Sequence, residues 1–239
     1  VREFNGTSDN LVQGLGAATG MTFGTAAMLV KFSTVTSFRS LFQLHDSGNT
    51  FVWTPLDMSN FGTIQWYAGS ASDSGFSVST GIWYLIVTRK ATGTATPRYS
   101  IFNYTSSSWT HANFTGGAIG NGTAPGTGGR AGFAFQGSQD FFGGRVAAKA
   151  AWSNALPWTA DAAGDAVLVA SGLRTAAASW LASSPSVCWL YNQASTATAV
   201  VDVSSGGGGT QLSITGTTVV NGDDPPGFTF AYQGWGVPA

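Results

Sequence analysis

Phe141-Phe-Gly-Gly-Arg-Val-Ala-Ala-Lys-Ala-Ala-Trp-Ser-Asn-Ala-Leu156 decides the reading of this chain. Taken alternately, Gly144, Val146, Ala148, Ala150 and Trp152 form one apolar row, and Arg145 and Lys149 stand among alanines on the other face. The period is two, so the segment is expected to be a central strand. Gly143 and Gly144 allow a bend or a close backbone approach before it, and Ser153-Asn154 with Pro157 closes it.

The rest of the composition agrees with a β protein. The 239 residues carry ten Lys plus Arg against eleven Asp plus Glu, and 33 glycines stand among abundant Ser, Thr, Val and aromatics. Such a chain suits many short strands joined by tight turns. The fold class expected is all-β, an antiparallel β-sandwich with two short helices after residue 158. One main domain should span residues 1–221, followed by a Pro-rich aromatic tail, 222–239, that is either loose or docked on another surface. Charge is too sparse and too balanced for a nucleic-acid footprint. No apolar run is long enough to cross a bilayer, so no membrane insertion is expected, and a leader could have been removed before Val1. The single cysteine, Cys188, sits in Ser-Val-Cys-Trp-Leu-Tyr191 and reads as a buried strand residue.

Strands are expected at Thr25–Phe32, Phe38–Leu44, Thr50–Thr54 and Thr63–Ala68, with turns at Asp46-Ser-Gly48 and Asn60-Phe-Gly62. Ile82–Arg89 is apolar on both parities, as in a strand covered on both faces. Tyr99–Tyr104, Arg130–Phe135, Val187–Tyr191, Ala199–Val203 and Gln211–Ile214 follow. A surface loop is expected at Gly116–Gly129, and a linker at Gly206–Gly209. Near Thr159 the period changes. Thr159 can cap a helix that stops at Gly172 and is weakened by Gly164, and a second helix runs from Thr175 to Ala182. The two are expected to cover an edge or an open end of the sandwich.

Phe4-Asn-Gly-Thr-Ser-Asp9, Gly81-Ile-Trp-Tyr-Leu-Ile-Val-Thr-Arg89, the opening stretch through Leu156 and Asp202-Val-Ser-Ser-Gly206, in that order and spacing, resemble a known family. It is the laminin-G-like, concanavalin A-like lectin/glucanase jelly roll, in the form found in bacteriophage virion proteins. The resemblance covers Phe4 to about Ile214. It implies a lectin-like domain in a tail or capsid decoration protein at the virion surface, with other virion proteins or further copies of itself as partners. The family's acidic residue within 145–152 is replaced by Ala147 and Ala148. Asp9, Asp140 and Asp202 are the carboxylates nearest the matching segments, and no metal site is expected from them.

Catalysis finds little support in the residues. Glycan hydrolysis in such folds needs paired carboxylates, but Glu3 is the only glutamate, and Asp57 and Asp73 read as lying on separate loops. His45 and His111 would each need a nucleophile and an orienting acid to form a triad, and His45, followed by Asp46 and Ser47, reads as a turn. No enzyme activity and no cofactor are expected. Recognition fits better, since aromatic faces stack on sugar rings while amides and carboxylates take the hydroxyls. Trp83, Trp152, Trp180 and Trp189 lie in apolar rows and read as core. In Thr63-Ile-Gln-Trp-Tyr67 the alternation leaves Gln65 and Tyr67 on the side opposite Ile64 and Trp66. Gln65, Tyr67 and the indole of Trp109 are therefore the candidate carbohydrate-binding residues, for a cell-surface glycan. The expected function is a non-enzymatic virion surface protein; the alternative is a secreted bacterial carbohydrate-binding module.

Overall fold

The strands of the sequence reading reappear in the computed structural model, which describes residues 1–8, 10–14, 24–36, 39–45, 51–59, 61–67, 71–91, 96–115, 130–132, 142–153, 157–192, 199–201, 203–204 and 211–230. In chain order they are β1 (Arg2–Asn5), β2 (Asn10–Gly14), β3 (Gly24–Phe32), β4 (Arg39–His45), β5 (Phe51–Met58), β6 (Thr63–Tyr67) and β7 (Ala71–Ser77). Then come β8 (Trp83–Arg89), β9 (Arg98–Asn103), β10 (Ser108–Asn113), β11 (Arg130–Gly132) and β12 (Gly143–Ser153). Helices α1 (Ala162–Ala170) and α2 (Ala177–Ala182) precede β13 (Val187–Leu190), β14 (Ala199–Val201), β15 (Gln211–Thr215) and β16 (Thr218–Val219). The expected loop at 116–129, the linker at 206–209, Asp9, Asp46, Asp140, Asp202 and the end of the tail, 231–239, lie outside the described residues.

Among the described residues all the strand pairs are antiparallel, and they build two sheets. One runs β10-β9-β8-β3-β12-β1-β16, with β13 beside β1 on the same edge of β12; the other runs β14-β15-β2-β11-β4-β5-β6-β7. Between them packs one core, in which Met28, Val30 and Phe32 of β3 and Tyr84 and Ile86 of β8 meet Phe42, Ile64 and Trp66 from the facing sheet. A second core lies on the other side of the first sheet. There Ala27, Leu29, Leu85, Val87 and Trp152 are covered by Leu168, Leu173, Trp180 and Phe228. Every residue of β8 is accordingly buried, which explains its apolar character on both parities. The helices cover this face and not an edge or open end.

The central strand departs from its sequence reading at one residue. β12 pairs with β3 along its length, but the register shifts between Val146 and Ala148, so Ala147 is the extra residue of a bulge. Val146 points into the inter-sheet core, whereas Ala147, Ala148, Ala150 and Trp152 belong to the helix-side core. The apolar row therefore changes faces half-way, and Arg145 and Lys149 lie on opposite sides. Lys149 is fully buried between the sheets, its Nζ 4.3 Å from the centroid of the Phe42 ring. Burial holds its pKa well below the ordinary lysine value.

The helices also correct their sequence reading in detail. Asp161, not Thr159, caps α1: its side chain accepts from the Gly164 N–H at 2.9 Å, and the Thr159 hydroxyl donates to that carboxylate at 2.5 Å. Gly164 is a fitting residue, since a Cβ there would stand 1.8 Å from the Thr159 carbonyl oxygen. Residues 220–230, which include the start of the expected tail, dock on the chain's own first sheet. Phe228 is buried there, and Thr229 exchanges backbone hydrogen bonds with Thr175 and Ala177 at 2.8 and 2.9 Å.

Candidate functional site

The outer face of the second sheet carries a polar row that the strand register assembles. Gln65 of β6 lies opposite Asp57 of β5 on one side and Asp73 of β7 on the other, and Ser40 of β4 lies opposite Asp57. Directly paired residues share a face. Because Ile64 and Trp66 fill the core, this is the outward face. The two aspartates read as loop residues are thus strand residues of one row, roughly 10 Å apart by two strand spacings. For Asp73 the signal was hidden because two of the three inward positions of β7, Ser72 and Ser74, are buried but small and polar, leaving Phe76 as its one apolar mark.

Hydrogen bonds fix this row from one end. The Asp73 carboxylate accepts from Thr63 Oγ1 at 2.6 Å, Gln65 Nε2 at 3.2 Å and the Gly75 N–H at 2.7 Å. Thr63 Oγ1 in turn accepts from the Ser59 hydroxyl at 2.6 Å. Ser59 then ties the β5–β6 turn: its Oγ accepts from the N–H groups of Phe61 and Thr63 at 3.1 and 3.2 Å, and its carbonyl from Gly62 at 3.1 Å. Gly62 has φ +75°, and a Cβ there would be 3.0 Å from the Val35 carbonyl oxygen, so only glycine suits the turn. At its tip Phe61 is 82% exposed. A single exposed apolar side chain is ordinary; an exposed ring on a braced turn beside a hydroxyl, amide and carboxylate row is the pairing that sugars require. Phe61 was missed in the sequence because Asn60-Phe-Gly62 was read only as a turn. Its signal was an aromatic where turn chemistry favours small polar residues.

The three sequence-derived candidates fall on two different sheets. Gln65 belongs to this row, and Tyr67 stands two residues further along β6, opposite Thr54 and Ala71. Trp109 is on β10, in the other sheet. Half-buried, it packs against Phe102 and stacks on His111 with ring centroids 5.3 Å apart and planes 12° from parallel.

Behind Trp109 lies a charged cluster that the sequence did not disclose. Asp165 of α1 pairs with Arg89 and Arg98, and Arg98 Nε lies 3.0 Å from both carboxylate oxygens. Ser100 Oγ donates to Asp165 at 3.2 Å and accepts from Arg89 Nη2 at 3.0 Å; His111 Nδ1 meets the same hydroxyl at 2.7 Å and Asp165 Oδ1 at 3.4 Å. Burial works to raise the Asp165 pKa, but the hydrogen bonds from Arg98 and Arg89 outweigh it and hold it at about 2. Burial lowers that of His111 against the pull of Asp165. Ser, His and Asp meet here, yet one ring nitrogen serves both oxygens, and Ser100 is fully buried. A hydrolytic triad needs the serine and the acid on different ring nitrogens and the serine open to substrate. The cluster is a clasp between helix and sheet.

No protein-family model and no curated protein matches the chain. Solved structures do. A candidate carbohydrate-binding protein from Bacteroides ovatus is 12% identical, with 94% of this chain and 60% of that chain covered and a TM-score of 0.54. The laminin alpha2 LG1-3 region is 12% identical over 63% of this chain and 31% of that chain, TM-score 0.46. A pentraxin from Limulus polyphemus is 15% identical over 65% and 76%, TM-score 0.41. The chain thus spans 60% of the Bacteroides protein and about a third of the laminin fragment. At such identities the likeness is one of fold, and the fold is the antiparallel sandwich of the concanavalin A-like jelly roll.

Proposed function

We propose that the chain is a non-catalytic carbohydrate-binding β-sandwich whose outer β4–β7 face takes a glycan. Phe61 stacks on a sugar ring while Gln65 and Asp73 receive its hydroxyls. The observation that carries this reading is the exposed Phe61 ring on a turn already ordered by Ser59 and Thr63, because a preformed platform loses little entropy on binding. Its fine form places the protein on the surface of a bacteriophage particle, among other virion proteins or further copies of itself, on the strength of the sequence resemblance; the alternative is a secreted module. Titration against a polysaccharide panel tests the binding. Phe61→Ala is expected to weaken the best ligand at least about tenfold with the melting temperature unchanged, and Gln65→Ala to act in the same direction. Undiminished binding by both variants would remove this face from the reading.

The shared row of Asp57 and Asp73 favours a second reading, glycan hydrolysis. Their strand positions lie roughly 10 Å apart, close to the about 6.5–9.5 Å that inverting enzymes leave between two carboxyl groups. Reducing ends released from the same panel by the wild-type chain and lost in both Asp57→Asn and Asp73→Asn would establish it. Release that persists in both variants excludes it.

A further inference from the structure

On the helix side of the first sheet, Lys31 of β3 and Arg145 of β12 are direct cross-strand partners. Two cations so placed repel. They are reconciled by Asp223, whose carboxylate lies 3.0 Å from Lys31 Nζ through both oxygens and is paired with Arg145 through Nη1, and by Glu3, whose Oε1 lies 3.4 Å from Arg145 Nη2. The side chains of all three remain 23–26% exposed. Beside them opens a pocket of about 250 Å³ lined by Glu3, Lys31, Ser33, Thr80, Gly81 and Arg145. Its volume is below the ~300–1,000 Å³ of drug-sized sites and suits one small ring. Ser33 and Thr80 line this opening, and a Cβ at Gly81 would meet nothing within 4 Å.

Asp223 is held by a segment that does not depend on it. Val220 N–H donates to the Val1 carbonyl at 3.0 Å, and Thr229 and Phe228 are anchored as described above. Gly222, at φ +78° with open space around its Cα, precedes the aspartate. The Asp223 side chain can therefore leave the cation pair while the segment stays docked.

We propose that this pocket is a second binding site, for a sugar that bears a carboxylate, and that Asp223 occupies the carboxylate's place when the site is empty. The ligand's carboxylate takes Lys31 and Arg145, a planar guanidinium being well matched to it; Glu3, Ser33 and Thr80 take ring hydroxyls. Because Lys31, Arg145, Glu3 and Asp223 sum to zero charge, the built-in aspartate competes with the ligand and limits its affinity. The site lies on the other sheet from Phe61, so it stands or falls separately from the glycan face.

Calorimetric or NMR titration with glucuronate, glucose and acetate tests this. Asp223→Asn is expected to bind glucuronate about tenfold more tightly than the wild-type chain, with glucose and acetate far weaker, and Asp223→Asn with Arg145→Gln to lose the gain. Phe61→Ala should leave it intact. A folded Asp223→Asn protein without gain overturns the proposal, as does glucose binding equal to glucuronate; acetate equal to glucuronate overturns the assignment of a sugar. If Asp223→Asn does not fold, the wild-type chain decides: saturable millimolar glucuronate binding that Lys31→Met abolishes supports the site, and none overturns it.

Discussion

Asp165→Ala is expected to destabilise the protein by about 3–5 kcal/mol, the cost of leaving a buried charge without its partner. The buried charge is Arg89, whose side chain is fully excluded from solvent, with Nη2 on Asp165 and Nη1 3.0 Å from the Thr159 carbonyl. Removing both ends at once, as in Arg89→Met with Asp165→Leu, should cost much less, because the fully buried charge is gone and only the partly exposed Arg98 loses its partner. The clasp also makes a pH signature. The Asp165 pKa is about 2 in the folded protein against an ordinary value of 3.8. Its contribution is therefore fully present above about pH 4 and is lost as pH falls from there toward 2, where the folded carboxylate finally protonates. Urea titrations between pH 5 and 2 should show this loss in the wild-type chain and a flatter profile in Asp165→Ala. Equal profiles would show that Asp165 does not carry the acid sensitivity.

The second large effect is expected from Trp180→Ala. Trp180 is fully buried in α2, donates Nε1–H to the Leu173 carbonyl at 2.7 Å and lies 6.5 Å from the Trp152 ring. Truncation leaves a large void and an unsatisfied carbonyl, for about 3–5 kcal/mol and a melting temperature lower by roughly 6–20 °C. Trp180→Phe should recover part of it. The glycan binding proposed at Phe61 should survive in whatever fraction remains folded, since Trp180 packs in the helix layer over the first sheet and Phe61 sits on a turn of the second. A loss below about 1 kcal/mol would mean that the helix layer collapses onto the vacancy.

What could be read in advance follows from how each element buries its side chains. β8 was legible because both its faces are apolar, and the four tryptophans in apolar rows are the core residues they were read to be. The bulge at Ala147 was not legible, because alanine is tolerated on either face and the flip leaves no mark in an alanine-rich row. β7 and Asp73 were lost to a Ser/Asp/Gly composition typical of turns. Gln65 was found through the alternation with Ile64 and Trp66. Its partner aspartates needed the register, which is a long-range property. Asp165 lies 76 residues from Arg89 in sequence, and no local pattern links them.

The way β1 is paired sets a rule for the order of folding. Arg2 lies opposite Val146 on one side and Val219 on the other. Strand β1 is therefore among the last to gain both neighbours, because its second partner lies more than two hundred residues further along the chain. Pairing of such high contact order is slow, and unpaired edges invite association with other chains. Refolding yield of this chain should accordingly fall as protein concentration rises.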